Sequence, residues 1–94
     1  MSYTFNHACC KQLYESISRR HEQAELARNK LIDNFSNLKS KQKDPTITHA
    51  QYAKNEIEIK SVGNEILYLN AEINTWDRAK DLIIEADMNT EGIV

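Results

Sequence analysis

The chain has very few residues that break helices. Its 94 residues include two glycines and one proline, whereas Ala, Leu, Ile, Glu, Lys, Gln and Asn are common. Gly and Pro are the strongest turn formers, so their scarcity leaves few places where the backbone can reverse direction. This usage is typical of long helices joined by few turns. The composition therefore predicts an all-α protein without a β-sheet.

Long apolar runs are also missing. No stretch of eighteen apolar residues occurs, and the first residues lack a basic segment followed by an apolar core. A membrane-spanning helix needs about 20 apolar residues, and a signal peptide needs a shorter apolar core behind basic residues. We therefore expect neither a membrane span nor a signal peptide, and we expect a cytoplasmic location.

Residues that could support chemistry are few. The two cysteines, Cys9 and Cys10, are adjacent, and a disulfide between neighbouring helical residues would be strained. The three histidines, His7, His21 and His49, are too far apart along a helix to share a metal ion. No phosphate-binding glycine loop and no catalytic motif occurs. We therefore expect two reduced thiols, no metal, no cofactor and no enzymatic activity.

Charge is distributed unevenly along the chain. Residues 1–43 contain eight Lys or Arg and four Asp or Glu, whereas residues 44–94 contain four bases and ten acids. The halves thus carry net charges of +4 and −6. Such a split favours packing of the two halves against each other. The basic first half also leaves an alternative open, a regulatory or nucleic-acid-binding role, although no recognition motif supports it.

The strongest pattern lies in the second half, where apolar residues recur at alternating steps of three and four. They are Ile59, Val62, Ile66, Leu69, Ile73 and Trp76. This spacing places them on one side of a helix. The same steps in the first half predict a matching stripe, widened by Tyr14 and Phe35. Its positions are Cys10, Leu13, Ile17, Arg20, Ala24, Ala27, Leu31, Asn34, Leu38 and Lys41.

The segment around Pro45 is the clearest break in the chain. Proline lacks an amide proton and disfavours a helical Asp44, so the first helix must end there. We predict one helical domain over 1–94, with a loose N-terminus at 1–6, helix 1 at 7–43, a turn at 44–47, helix 2 at 48–87 and a flexible tail at 88–94. The short turn predicts an antiparallel, coiled-coil-like hairpin. A break at Gly63, giving a three-helix bundle, is the alternative.

The two stripes fit each other when small residues of one helix face large residues of the other. Ala24 then lies opposite Leu69, and Ile17 opposite Trp76. In this arrangement Lys30 is expected to pair with Glu58 or Glu65.

Several apolar residues fall outside these stripes. We predict that five of them bind a partner: Leu26, Ile32, Phe35, Leu67 and Tyr68. Either two hairpins form a four-helix bundle, or one hairpin receives helices from another protein. The sequence thus favours a non-enzymatic protein-protein interaction module, such as a small chaperone, an adaptor or an assembly subunit.

Overall fold

Two long helices form almost the whole structure. A computed structural model describes residues 3–89, in which α1 spans Ala8–Gln42 and α2 spans His49–Met88. The helices pack side by side in opposite directions as a rod 68 Å long, 21 Å wide and 16 Å thick. No strand occurs in this part of the chain. The prediction of an all-α helical hairpin is confirmed, and residues 90–94 of the predicted tail lie outside the described residues.

The turn between the helices is held by side-chain hydrogen bonds. The Asp44 carboxylate accepts from the Thr46 hydroxyl at 2.7 Å and from the Thr46 amide at 2.9 Å. These hydrogen bonds lower the pKa of Asp44. Thr48 then caps α2, because its hydroxyl accepts from the Gln51 amide while the Gln51 side chain accepts from the Thr48 amide. Pro45 ends α1 and Thr48 starts α2, so the reversal is encoded locally.

Helix α2 runs through Gly63 without a break. The alternative of a three-helix bundle is therefore wrong. Gly63 lies beside the ring of Phe35 in α1, and the apolar spacing of α2 keeps the same phase on both sides of the glycine. A turn at this point would move one half of α2 away from α1. The packing lost in this way outweighs the cost of one glycine inside a helix.

In α1 the stripe that faces α2 differs from the predicted one. Five of the predicted positions are buried or half-buried: Cys10, Ile17, Ala24, Leu31 and Leu38. The other five are exposed: Leu13, Arg20, Ala27, Asn34 and Lys41. Their places are taken by the residue that follows each of them: Tyr14, His21, Arg28, Phe35 and Gln42. The second row of the predicted stripe was therefore wrong, because these longer side chains cover more surface between the helices than Ala27 or Asn34 would.

No helix within residues 3–89 is long and apolar enough to cross a membrane.

Gly63→Ala is expected to raise the free energy of unfolding by about 0.5–1 kcal/mol, because alanine loses less backbone entropy in a helix. A Cβ at Gly63 would lie 3.6 Å from Cε2 of Phe35, an ordinary contact distance. Urea denaturation monitored by circular dichroism measures the change. The control is Ala53→Gly, which removes the same methyl group at an exposed position of α2 and should lower the stability by a similar amount. A lower stability for Gly63→Ala would mean that Phe35 needs the bare backbone.

Candidate interaction surface

One side of the hairpin is bridged by a regular series of side chains from α1 and the residue before it. Seven residues make two helical turns, so residues at this spacing lie on one side of a helix. The series consists of His7, Tyr14, His21, Arg28, Phe35 and Gln42, which lie against Asp87, Lys80, Asp77, Asn70, Gly63 and Glu56, respectively. We call this side the bridged face.

The contacts of the bridged face are mostly polar. His21 lies between two carboxylates, with Nδ1 2.9 Å from Glu25 and Nε2 3.0 Å from Asp77. Arg28 Nη1 donates to Asn70 Oδ1 at 3.3 Å. Near the turn, Gln42 Nε2 donates to Glu56 Oε1 at 2.9 Å. Hydrogen bonds depend on distance and direction, so this series fixes the register of the two helices more strictly than apolar contacts would, although Arg28 Nε and Gln42 Oε1 are buried without a hydrogen-bond partner.

At the end of the rod away from the turn, the N-terminal segment is tied to a buried carboxylate. Asp87 has no exposed surface. Its Oδ2 accepts from the Tyr3 hydroxyl and the Asn6 amide, both at 2.8 Å. Its Oδ1 accepts from the His7 amide at 3.0 Å and lies 3.0 Å from His7 Nδ1. We call this arrangement the Asp87 clasp.

The clasp changes the acidity of the groups around it. Burial raises the pKa of Asp87, but the hydrogen bonds from Asn6, Tyr3 and His7 outweigh it and lower the pKa to about 2. Burial and the hydrogen bond to Asp87 raise the pKa of the Tyr3 hydroxyl. Burial and the neighbouring Cys9 raise the pKa of Cys10. The carboxylate is therefore held ionised, while the half-buried thiol is held protonated.

Aromatic rings extend the clasp onto the bridged face. The rings of Tyr3 and Phe5 meet edge to face at 4.8 Å, and Phe5 lies 5.1 Å from Tyr14. The structure thus holds residues 3–7 against α2, whereas the sequence predicted a loose segment over 1–6. The reason is Asp87, whose buried charge requires hydrogen-bond donors, several of which this segment supplies.

The other side of the hairpin is not bridged in this way. Arg20 and Ala27 precede His21 and Arg28 by one residue, or about 100° around α1, so they lie on the far side of the buried row that contains Ala24. The open face is this side of the rod, with Leu13, Arg20 and Ala27 on α1 and Val62, Leu69 and Trp76 on α2. The three residues of α1 are exposed, and those of α2 are only half-buried.

Three shallow grooves follow the open face and its border. One lies between the helices and is lined by Arg20, Gln23, Ala24, Leu69, Glu72 and Trp76. A second lies towards the turn, where Leu38, Lys41, Asn55 and Glu58 are among its lining residues. The third lies on the border of α2 and is formed by Tyr68, Ala71, Glu72, Thr75 and Trp76. The apolar surface of the hairpin is therefore accessible from this side.

Trp76 is the central aromatic residue of the open face. The Arg20 guanidinium lies over its ring, 5.7 Å from the centroid, and its Nε1 donates to Glu72 Oε1 at 3.2 Å. A half-buried tryptophan flanked by an arginine is typical of the centre of a protein-protein contact.

The two borders of the open face carry opposite charges. Arg20, Lys30 and Lys41 lie on the side of α1, and Glu58, Glu65 and Glu72 lie on the side of α2. Within residues 3–89, no Lys or Arg lies within 4.0 Å of a carboxylate, since the ion pairs there are made by His7 and His21. The predicted pairing of Lys30 with Glu58 or Glu65 is therefore wrong, because the helix rotation places these long side chains on separate borders.

The five predicted partner-binding residues do not form one surface. Leu26, Ile32, Leu67 and Tyr68 are exposed, by 57, 41, 67 and 72%, respectively. Phe35 is half-buried beside Gly63, with the Lys39 ammonium 4.6 Å from its ring. Tyr68 alone among the five lines a groove that borders the open face. Sequence periodicity identified exposed apolar residues but missed the half-buried ones, such as Trp76, which it assigned to the hairpin interior.

Comparisons of the chain with known protein families, with curated proteins and with solved structures found no match. Between residues 3 and 89, no three His, Cys, Asp or Glu side chains are grouped so that they could hold a metal ion.

Asp87→Asn is expected to release residues 3–7 and to reduce the dependence of stability on acid pH. The pKa of Asp87 is lower in the folded chain, about 2, than its ordinary value of 3.8. Its ionised form therefore stabilises the fold above pH 3.8, and this contribution is lost as the pH falls towards 2. Thermal unfolding between about pH 5 and pH 2, together with hydrogen exchange at the amides of Asn6 and His7, measures both effects.

The exposed Asp81→Asn is the control for this variant, because it removes one charge from the same helix without touching the clasp. Equal amide protection in Asp87→Asn and in the wild type would show that the clasp is not held by the charge of Asp87.

Proposed function

We propose that this protein is a non-enzymatic helical interaction module, acting as a small chaperone, an adaptor or an assembly subunit. The observation that carries the proposal is the small size of its apolar core. Among residues 3–89, the buried apolar residues are Ala24, Leu38 and Ile73, each of which keeps 4 to 6% of its surface exposed. Two helices contact each other along one side only, so most of their apolar surface stays accessible.

The apolar side chains left outside support the same proposal. Nine large ones are exposed by 41 to 72%: Leu13, Leu26, Ile32, Tyr52, Ile57, Leu67, Tyr68, Leu82 and Met88. Single exposed apolar residues are common on protein surfaces, but here they accompany the half-buried row of Val62, Leu69 and Trp76. An apolar surface of this extent favours association with other helices.

The shape of the surface favours helices as the partner. A straight groove between two antiparallel helices accepts a third and a fourth helix, as in a four-helix bundle. These helices come either from a second copy of the chain or from another protein. In this proposal the predicted contact residues Leu26, Ile32, Phe35, Leu67 and Tyr68 make secondary contacts, and Tyr68 is the one of the five that lines a groove on the border of the open face.

An interaction role also agrees with the charges and the grooves. The grooves are shallow, and Asp87, the carboxylate with the most lowered pKa, is engaged by the N-terminal segment. The alternative role, nucleic-acid binding through α1, has weaker support because Glu58, Glu65 and Glu72 border the same face as the bases. Localisation in the cytoplasm remains part of the proposal.

The stability of the purified chain is expected to depend on association. If copies of the chain cover the surface, a hundredfold rise in protein concentration should add on the order of 2–3 kcal/mol to the apparent free energy of unfolding. If another protein covers it, the chain alone should stay below the roughly 5 kcal/mol of ordinary domains at every concentration. Urea unfolding at several concentrations, with light scattering for the mass, measures both quantities.

A chain that is monomeric at all concentrations and more stable than about 5 kcal/mol would contradict the proposal, because such a hairpin would need no partner. Gel shift with nucleic acid at low and high salt tests the alternative, since binding through basic residues weakens as salt rises.

A further inference from the structure

The charged borders of the open face are complementary to each other but too far apart to pair within one hairpin. The border of α1 carries Arg20, Lys30 and Lys41, and that of α2 carries Glu58, Glu65 and Glu72. Near the turn the groove is also lined by Asp44 and Lys54, so the separation of charges is clearest away from the turn. No ion pair joins the two borders in residues 3–89. If a second copy of this surface packs against the first, the basic border of one copy can lie beside the acidic border of the other, which favours association.

The charges also match in height along the rod. Arg20 and Glu72 line one groove, and Lys41 and Glu58 line the groove near the turn. Lys30 and Glu65 lie between these two levels along their helices. Lys30 and Lys41 thus each have an acid near their own level on the opposite border, whereas Arg20 lies level with Trp76, one turn from Glu72.

An apolar strip runs between the two borders. On α2 it consists of Val62, Leu69 and Trp76, all half-buried, and on α1 it includes the exposed Ala27 and Leu13. The small side chain of Ala27 leaves α1 accessible at the middle of the face. A partner helix can therefore approach closely there and cover the strip.

We propose that a second copy of the chain covers the open face, so that α1 of each copy lies over α2 of the other. The two copies are related by a two-fold axis parallel to the rod. This axis keeps every residue at its own level, and the basic border of each copy meets the acidic border of its partner. It also makes every neighbouring pair of helices in the four-helix bundle antiparallel.

The other two-fold arrangement of the same faces is disfavoured by charge. An axis running across the rod would place α1 on α1 and α2 on α2. Lysines and arginines would then face each other, as would the glutamates, and like charges in contact weaken association. The bridged face is a poorer contact, because its side chains are already engaged across the two helices.

The size of the open face is sufficient for a stable dimer. The rod is 68 Å long and 21 Å wide. The projected area of this side therefore exceeds the roughly 800 Å² that each partner buries in a standard interface. The inference rests on the proposed interaction function and names its partner as the chain itself.

Ala27→Glu is expected to raise the dissociation constant of the dimer at least about tenfold, because a carboxylate would replace a methyl group in the centre of the interface. The matched control is Ala53→Glu. Ala53 is equally exposed, but it lies one turn before Glu56, on the bridged side of α2. Light scattering over a dilution series measures the mass of each variant, and circular dichroism verifies that each remains helical.

A dimer in the wild type and in Ala53→Glu, with a monomer for Ala27→Glu, supports the proposed interface. A dimer that Ala27→Glu leaves intact overturns it. A wild-type chain that is monomeric and weakly stable overturns the second copy as partner, but it leaves the interaction function with another protein in place. A monomer of high stability overturns both.

Exchange of charges tests the two-fold axis. Lys30→Glu and Glu65→Lys should each weaken the dimer roughly three- to tenfold, because each places like charges opposite each other across the interface. An equimolar mixture of the two variants should recover wild-type affinity, since one partner then presents two acids at this level and the other two bases. The double variant Lys30→Glu/Glu65→Lys should recover it as well.

The mixture separates contacts between chains from contacts within one chain, because a contact within one hairpin cannot be repaired by adding a different hairpin. Recovery in the double variant without recovery in the mixture overturns the proposed axis. A dimer strengthened by Lys30→Glu alone also overturns it, because that result would place α1 against α1.

Discussion

Two helices lying side by side cannot enclose a core, and this constraint governs the whole molecule. Each helix turns only one side towards its neighbour, so buried apolar side chains are confined to a single line that includes Ala24, Leu38 and Ile73. Apolar attraction along so narrow a line holds the helices together weakly and permits sliding. The polar contacts of the hairpin prevent the sliding but add little to the attraction between the helices.

Polar contacts prevent the sliding. The hydrogen bond of Arg28 with Asn70 fixes the middle, the clasp of Asp87 fixes one end, and the capped turn before Thr48 fixes the other. Such groups gain little net free energy when they pair, but leaving one unpaired and buried is costly, so they select one register. The apolar attraction between the two helices stays weak, because much of their apolar surface is still accessible on the open face. This surface is suited to packing against further helices.

Local patterns predicted the helices and the turn, because Pro45 and the three-four spacing from Ile59 to Trp76 act over short distances along the chain. The rotation of α1 was not predictable in the same way. Rows containing Leu13 and Tyr14 both fit the spacing, and the choice between them depends on how the longer side chains of the second row, such as Tyr14 and Phe35, pack against α2. The clasp joins residues 80 positions apart or more, and no local pattern can reveal such a contact. The sequence pattern identified single exposed apolar residues. It did not predict the open face, because the position of that face depends on the rotation of α1.

The clasp also decides where the polypeptide enters and leaves the rod. The Tyr3 hydroxyl donates a hydrogen bond to Asp87, so residues 3–7 and the C-terminal end of α2 lie at the same end of the rod. The turn at Pro45 forms the other end of this 68 Å rod. The end of the rod that carries the turn is therefore the part of the described chain farthest from both Tyr3 and Asn89.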